Sequence, residues 1–328
     1  MTLPKVLMTD VIRSTQQGDS HGGAYLVDLE SGGFEQVLDW NSVEIDWEGR
    51  GMGRGLRGIC FVGDEIYIAA SDELFVFDQS WNIVRSFKNS FLHHCHEISF
   101  DGDRFIYLTS TSFDSVLRFD VKSGEFDGAW WLGVGKRKVG GQIVAALGAR
   151  AFDPNGSEGP PMGDNLHLNQ VFVSGGKVFV SGLRLEMMWG LEGERVEPYA
   201  KVPVATHNCQ VLGDEGLVVM NSTGEDCVVI ADRRGKVMKR FAYPMYEESD
   251  MSNTGIGDDH ARQGFGRGLC VDEGWGERGL IIVGSSPGTV SGFDRKSGEM
   301  VASVNVSMDV RNAPHGLEIW PWSIALGE

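Results

Sequence analysis

A set of polar side chains in this sequence stands at, or just before, the start of short apolar runs. They are Arg57, His94, His96, His167, Asn169, His207, Asn208, Arg267 and His315. Five of the chain's 8 histidines fall in the set, and that concentration is the first chemical signal. Neutral imidazole is the commonest protein ligand of Zn, Fe, Mn or Cu. His94, His96, His167, His207 and His315 are therefore candidate ligands of a divalent transition metal. A carboxylate such as Asp258 or Glu97 would complete the shell. Such a metal, with open positions, polarises a carbonyl or activates water. Arg57 and Arg267 carry planar forks that match carboxylate or phosphate geometry. With Asn169 and Asn208 they are the candidate substrate-binding residues, and a small anionic metabolite is the expected partner. The plainer alternative is a wet channel whose polar lining satisfies itself through water. Each arginine would then pair with Glu97, Glu318 or a loop acid. Arg54-Gly55-Leu56 copies Arg267-Gly268-Leu269, so either Arg54 or Arg57 faces the channel.

These residues need a scaffold that brings distant segments together, and a repeat supplies it. The motif reads Arg57-Gly58-Ile59-Cys60-Phe61, His96-Glu97-Ile98-Ser99-Phe100 and Asn169-Gln170-Val171-Phe172-Val173. It returns as Cys209-Gln210-Val211-Leu212, Arg267-Gly268-Leu269-Cys270-Val271 and His315-Gly316-Leu317-Glu318-Ile319. Each copy opens a group of alternating strands with no long helical pattern. Residues two apart on a strand share a face, so His94 projects with His96 and His167 with Asn169. A second repeat marks the outer hairpins: Asp28-Leu29-Glu30-Ser31-Gly32, Asp120-Val121-Lys122-Ser123-Gly124 and Asp294-Arg295-Lys296-Ser297-Gly298. There the Asp caps the turn and Gly supplies a positive φ.

Four-strand repeats predict a radial, all-β architecture. The C-terminal copy at His315 is a lone inner strand, and the N-terminus supplies three strands without one. Pairing them closes a six-bladed β-propeller over residues 1–328, a single domain with no exposed sheet edge. The competing folds are a β-sandwich or two barrels. Loop insertions at 132–166 and 243–266 fall on the same face as the strand heads. The first contains a helix-like stretch over 141–150. The second carries Glu247, Glu248, Asp250, Asp258, Asp259 and His260. Long loops on a shared face are commonly functional. His21 and His93 lie outside the pattern and are assigned to the surface or to packing.

The net charge of -17 argues against nucleic acid or an anionic membrane as partner. Five cysteines without metal or redox spacing read as small buried hydrophobes of a reducing compartment. No signal peptide or membrane span is legible, so a cytoplasmic protein is expected.

His96-Glu97-Ile98, His167-Leu168-Asn169-Gln170, Thr206-His207-Asn208 and Arg267-Gly268-Leu269 resemble a group of bacterial six-bladed β-propeller proteins. Those proteins carry H-D-L, H-L-N-G, P-H-S-P-R and R-G-L-A at matching strand heads. This chain departs at Gln170, where Gly is usual, and at Asn208-Cys209-Gln210, where an arginine is missing. The outline is also similar to gluconolactonase- and paraoxonase-type propellers, which hold calcium with Glu, Asn and Asp. Four-histidine iron oxygenases, with seven blades, likewise use a propeller axis. The expectation is a metal-dependent enzyme that hydrolyses, eliminates or oxidises a small anion at the axial mouth. The alternative is a non-catalytic propeller that binds a protein, a peptide or a small anionic ligand.

Overall fold

A computed structural model describes residues 1–14, 20–45, 55–139, 142–213, 216–257 and 262–322. The described residues form six antiparallel sheets, each following chain order from inner to outer strand, with one exception at the ends. Blade 1 joins the C-terminal strand Asn312–Ile319 to Lys5–Ile12, Gly23–Asp28 and Phe34–Asp39. Blades 2 to 6 have inner strands Ile59–Val62, Ile98–Phe100, Leu168–Ser174, Thr206–Leu212 and Gly266–Asp272. The closure expected from the sequence is present, with Val6 opposite Ile319, Met8 opposite Leu317 and Ile12 opposite Asn312. The fold is a six-bladed β-propeller.

Side chains alternate between the two faces of each strand, so every sheet is apolar on both sides. Each face packs on a neighbour. Leu7, Ala24 and Leu38 of blade 1 meet Ile59, Ile66 and Phe75 of blade 2. Val6, Met8 and Val27, on the other face of blade 1, meet Cys270, Leu280 and Ile282 of blade 6. Corresponding clusters join every other adjacent pair, so the core is itself a closed circle. All five cysteines are free and buried in these layers.

The outer turns obey the sequence. Asp28 accepts from the backbone N–H of Glu30 and Ser31, Asp232 from Arg234 and Lys236, and Asp294 from Lys296 and Ser297. Gly32, Gly124 and Gly298 supply the positive φ at 74°, 73° and 85°.

One expectation is corrected. The helix-like stretch over 141–150 is strand Gln142–Phe152, the second arm of a long hairpin with Glu125–Val139. Alanine, leucine and arginine are good helix formers, but intrinsic propensity is a weak preference that tertiary pairing routinely overrides. Continuous pairing from Ala129 to Val139, such as Val134 with Leu147 and Gly135 with Ala146, outweighs that preference. Leu132 and Leu147 anchor the hairpin against Leu166 and Leu168 of blade 4. Among the described residues no helix is long and apolar enough to cross a membrane.

Candidate anion site at the axial mouth

A bulge sits at the head of the inner strands. The register shifts between Leu168 and Gln170, between His207 and Cys209, and between Arg267 and Leu269. In blade 2, Ala69 accepts from Arg57 N–H and donates to the Gly58 carbonyl. In blade 1, Thr9 faces both His315 and Gly316. A bulge places two residues opposite one and re-aims the side chain before it. The bulge positions include Gly58, Asn169, Asn208, Gly268 and Gly316. A Cβ on Gly316 would come within 2.2 Å of the Arg57 carbonyl, so glycine lets adjacent inner strands touch there. Asn208 takes the left-handed conformation, at φ 48°.

This register corrects the motif's frame. The ring of head residues is Arg57, His96, Leu168, His207, Arg267 and His315. Asn169 lies one place and Cys209 two places beyond the position that the sequence motif gave them. An inserted residue leaves the apolar alternation legible on both sides of the bulge, so the repeat alone does not reveal it. His94 and His167 lie just outside the ring with positive φ of 60° and 50°, backbone strain of a kind that gathers at functional sites.

The structure brings most of the predicted histidines together. Ring centroids lie 4.8 Å apart for His94 and His96, 5.2 Å for His96 and His167, and 6.1 Å for His96 and His315. His207 sits apart, 5.7 Å from the ring of Phe265. That phenyl ring also carries the guanidinia of Arg13, Arg262 and Arg267 at 4.3, 5.3 and 4.9 Å. His21 is buried in packing and His93 is exposed.

Hydrogen-bond chemistry fixes several tautomers. The Ala313 carbonyl can only accept, so His315 Nδ1–H donates to it at 2.9 Å, and His315 Nε2 accepts from Arg267 Nη1 at 2.7 Å. Thr223 gives its proton to the Gly266 carbonyl at 2.9 Å, so its oxygen accepts from His207 Nδ1–H, also at 2.9 Å. Among the described residues His207 Nε2 is left as a buried lone pair without a partner. Asp164 holds His167 Nδ1, with its carboxylate oxygens at 2.9 and 3.1 Å. Asp114 braces that loop by accepting from the backbone N–H of Asn165 and Leu166, both at 2.8 Å.

The mouth is electropositive. Burial, then Arg57, presses the His94 imidazole down to about 3. His96, His207 and His315 lie well below the usual imidazole range, from burial and then Arg57 or Arg267. Burial also lowers the Arg57 guanidinium to about 10, and Arg267 well below its usual value, with Arg13 and Arg57 adding repulsion. Beneath lies a polar floor. Asn208 Nδ2 donates to Glu97 Oε2 at 2.8 Å and to Gln170 Oε1 at 3.1 Å. Burial, reinforced by Glu318, holds the Glu97 carboxyl well above the carboxylate range.

Arginines elsewhere find carboxylates: Arg85 with Glu65 at 2.6 Å, Arg118 with Asp127 at 2.8 Å, Arg311 with Asp309 at 2.7 Å. Among the described residues neither Arg57 nor Arg267 has one, and neither pairs with Glu97 or Glu318. Arg57 is 3% exposed, and its Nε and Nη1 and the Nε of Arg267 are buried donors without acceptors. As for the expected metal shell, among the described residues no group of three His, Cys, Asp or Glu is disposed to hold an ion. The Nε2 lone pair of His315 is already engaged by Arg267. Arg54, Asp258, Asp259 and His260 lie outside the described residues.

Sequence reasoning missed Asp164, Thr223 and Phe265. Only Asp164 left a signal, as an acid three residues before a candidate histidine.

No protein-family model and no curated protein matches this chain. Solved structures do. A protein of unknown function from Bacteroides caccae aligns at 11% identity and TM-score 0.55, covering 96% of this chain and 98% of that one. A structure of the nidogen/laminin complex aligns at 9% identity and TM-score 0.55, covering 96% and 97%. A streptogramin B lyase aligns at 11% identity and TM-score 0.50, covering 80% and 86%. At these identities the likeness shows the six-bladed fold alone.

Proposed function

We propose that the axial mouth binds a small anionic metabolite between Arg57 and Arg267, and that the chain is an enzyme acting on it. The observation that supports this most directly is the pair of arginines without carboxylates. Holding a buried charge without a counter-ion costs several kcal/mol. An anion gripped by both forks supplies the missing acceptors and offsets that cost. The chain's net charge of -17 makes this positive mouth a local device, not part of a basic surface.

The reactive group in this proposal is His167. Asp164 holds its Nδ1–H, which leaves Nε2 as the base. Of the expected reactions, elimination asks for the fewest parts: a base, and fixed positive charge where negative charge develops. The fold also carries a lyase in the streptogramin B enzyme, which is an argument from fold alone.

Titration calorimetry with succinate and inorganic phosphate tests the binding half, using the wild type, Arg57→Gln and Arg267→Gln. Wild type should bind one of these anions, and each variant should weaken it about tenfold or more. No binding by wild type, or equal binding by all three proteins, overturns the proposal. Elemental analysis of the same preparation decides the metal: stoichiometric Zn, Fe, Mn or Cu would return the histidines to a ligand role.

A further inference from the structure

We infer that the anion taken at this mouth carries hydroxyl groups, donated to His207 Nε2 and Asn169 Oδ1. The inference rests on the anion site proposed above and specifies its ligand. Two forced assignments carry it. Thr223 spends its only proton on the Gly266 carbonyl, so His207 must point Nδ1–H at Thr223 and present a bare Nε2. Asn169 bonds the Thr206 carbonyl at 3.0 Å, and a carbonyl can only accept. The Asn169 amide nitrogen therefore faces Thr206, and its Oδ1 is left bare. Both side chains are 2% exposed, and both bare atoms are buried without partners among the described residues.

Arg57 and Arg267 offer unsatisfied donors, whereas His207 and Asn169 offer unsatisfied acceptors. A plain dicarboxylate meets the first pair and leaves the second unpaired. A buried acceptor left unpaired is penalised more heavily than a formed bond is rewarded. The complementary ligand thus brings acceptors and donors together. Its donors are neutral. Arg267 and Arg13 act on His207 as positive charges, and the same field opposes an ammonium. A hydroxylated carboxylate or phosphate satisfies every one of these conditions, whereas an amino acid does not.

The test compares tartrate, in either enantiomer, with succinate and aspartate by calorimetry at matched ionic strength. One enantiomer of tartrate should bind about tenfold or more tightly than succinate. Aspartate should bind no tighter than succinate. Thr223→Val releases the His207 tautomer and should narrow the tartrate-to-succinate ratio. In parallel, nitrogen NMR of the wild-type histidines should show the His207 Nε2 resonance moving with tartrate and not with succinate, a readout independent of whether the variant folds. Succinate binding as tightly as tartrate, or aspartate binding more tightly than either, overturns the hydroxyl inference and leaves the anion site standing. If none of the three binds and inorganic phosphate fails to bind as well, the anion site falls too.

Discussion

The side-chain amide of Asn208 donates to the carboxyl of Glu97 at 2.8 Å, although blade 4 lies between the two blades that carry them. Its other end accepts from Gly268 N–H at 2.9 Å, so one residue ties blades 3, 5 and 6 beneath the mouth. Asn208→Ala leaves the buried Gly268 N–H and one oxygen of the buried Glu97 carboxyl without these partners, and should cost about 1–3 kcal/mol in urea denaturation. Asn208→Asp should cost at least as much at neutral pH, because it sets a second acid against Glu97. Its deficit should shrink on acidification by more than that of Asn208→Ala, which adds no charge. Two variants with the same pH dependence would remove Glu97 from the explanation.

Arg57 separates stability from function. Its buried guanidinium has no counter-ion among the described residues, so Arg57→Met should stabilise the anion-free protein by on the order of 1 kcal/mol or more and raise its Tm. Succinate or phosphate should raise the Tm of the wild type, since a ligand that binds only the folded state stabilises it. It should not raise that of the variant. A variant less stable than the wild type in anion-free buffer would mean that Arg57 already has a partner.

The ring was legible because closure and turns leave marks in sequence. The Asp and Gly of the outer hairpins recur, and the unpaired first and last strands demand each other. The site was legible in composition but not in register. His96, Arg267 and His315 were aligned correctly because Glu97, Gly268 and Gly316 follow them in the frame of Gly58. Blades 4 and 5 put asparagine at the bulge, which looks like a strand's polar first residue, so Asn169 and Cys209 were set in the wrong frame. Thr223 could not be found. It lies in a short 3-10 turn at the far end of the blade 5 hairpin, and only the fold carries it to His207.

Asp164 is a positioning residue for His167, and its removal should change tautomer before it changes binding. In the wild type, nitrogen NMR should show His167 protonated on Nδ1. Asp164→Asn should shift the population towards Nε2–H, because the amide can turn its own N–H towards the ring. Succinate affinity should stay within about twofold, and turnover of any substrate found should fall about 100-fold or more. An unchanged tautomer in the variant would end the positioning role.

Stability should peak in mildly acidic solution, because two sets of buried groups pull in opposite directions. Asp10 is fully buried where the chain ends meet, accepting from Gly23 N–H at 2.6 Å and Asn312 Nδ2 at 2.5 Å. Burial pushes its carboxyl from 3.8 up to about 7, and the Tyr25 phenol is raised by burial and then by Asp10. The folded state keeps a proton that the unfolded chain gives up, so this contribution is complete below pH 3.8 and drains away as the pH climbs to about 7. Its full size is at most about 4 kcal/mol. His94 runs the other way: the unfolded chain binds a proton near 6.5 that the folded state refuses until about 3, so stability is lost as the pH falls through that range. The two windows overlap between pH 3.8 and 6.5, where the contributions offset each other, so Asp10→Asn should make the Tm rise with pH across that range and His94→Asn should make it fall. Should both substitutions tilt the profile in the same direction, the burial of these two groups cannot be the origin of the maximum.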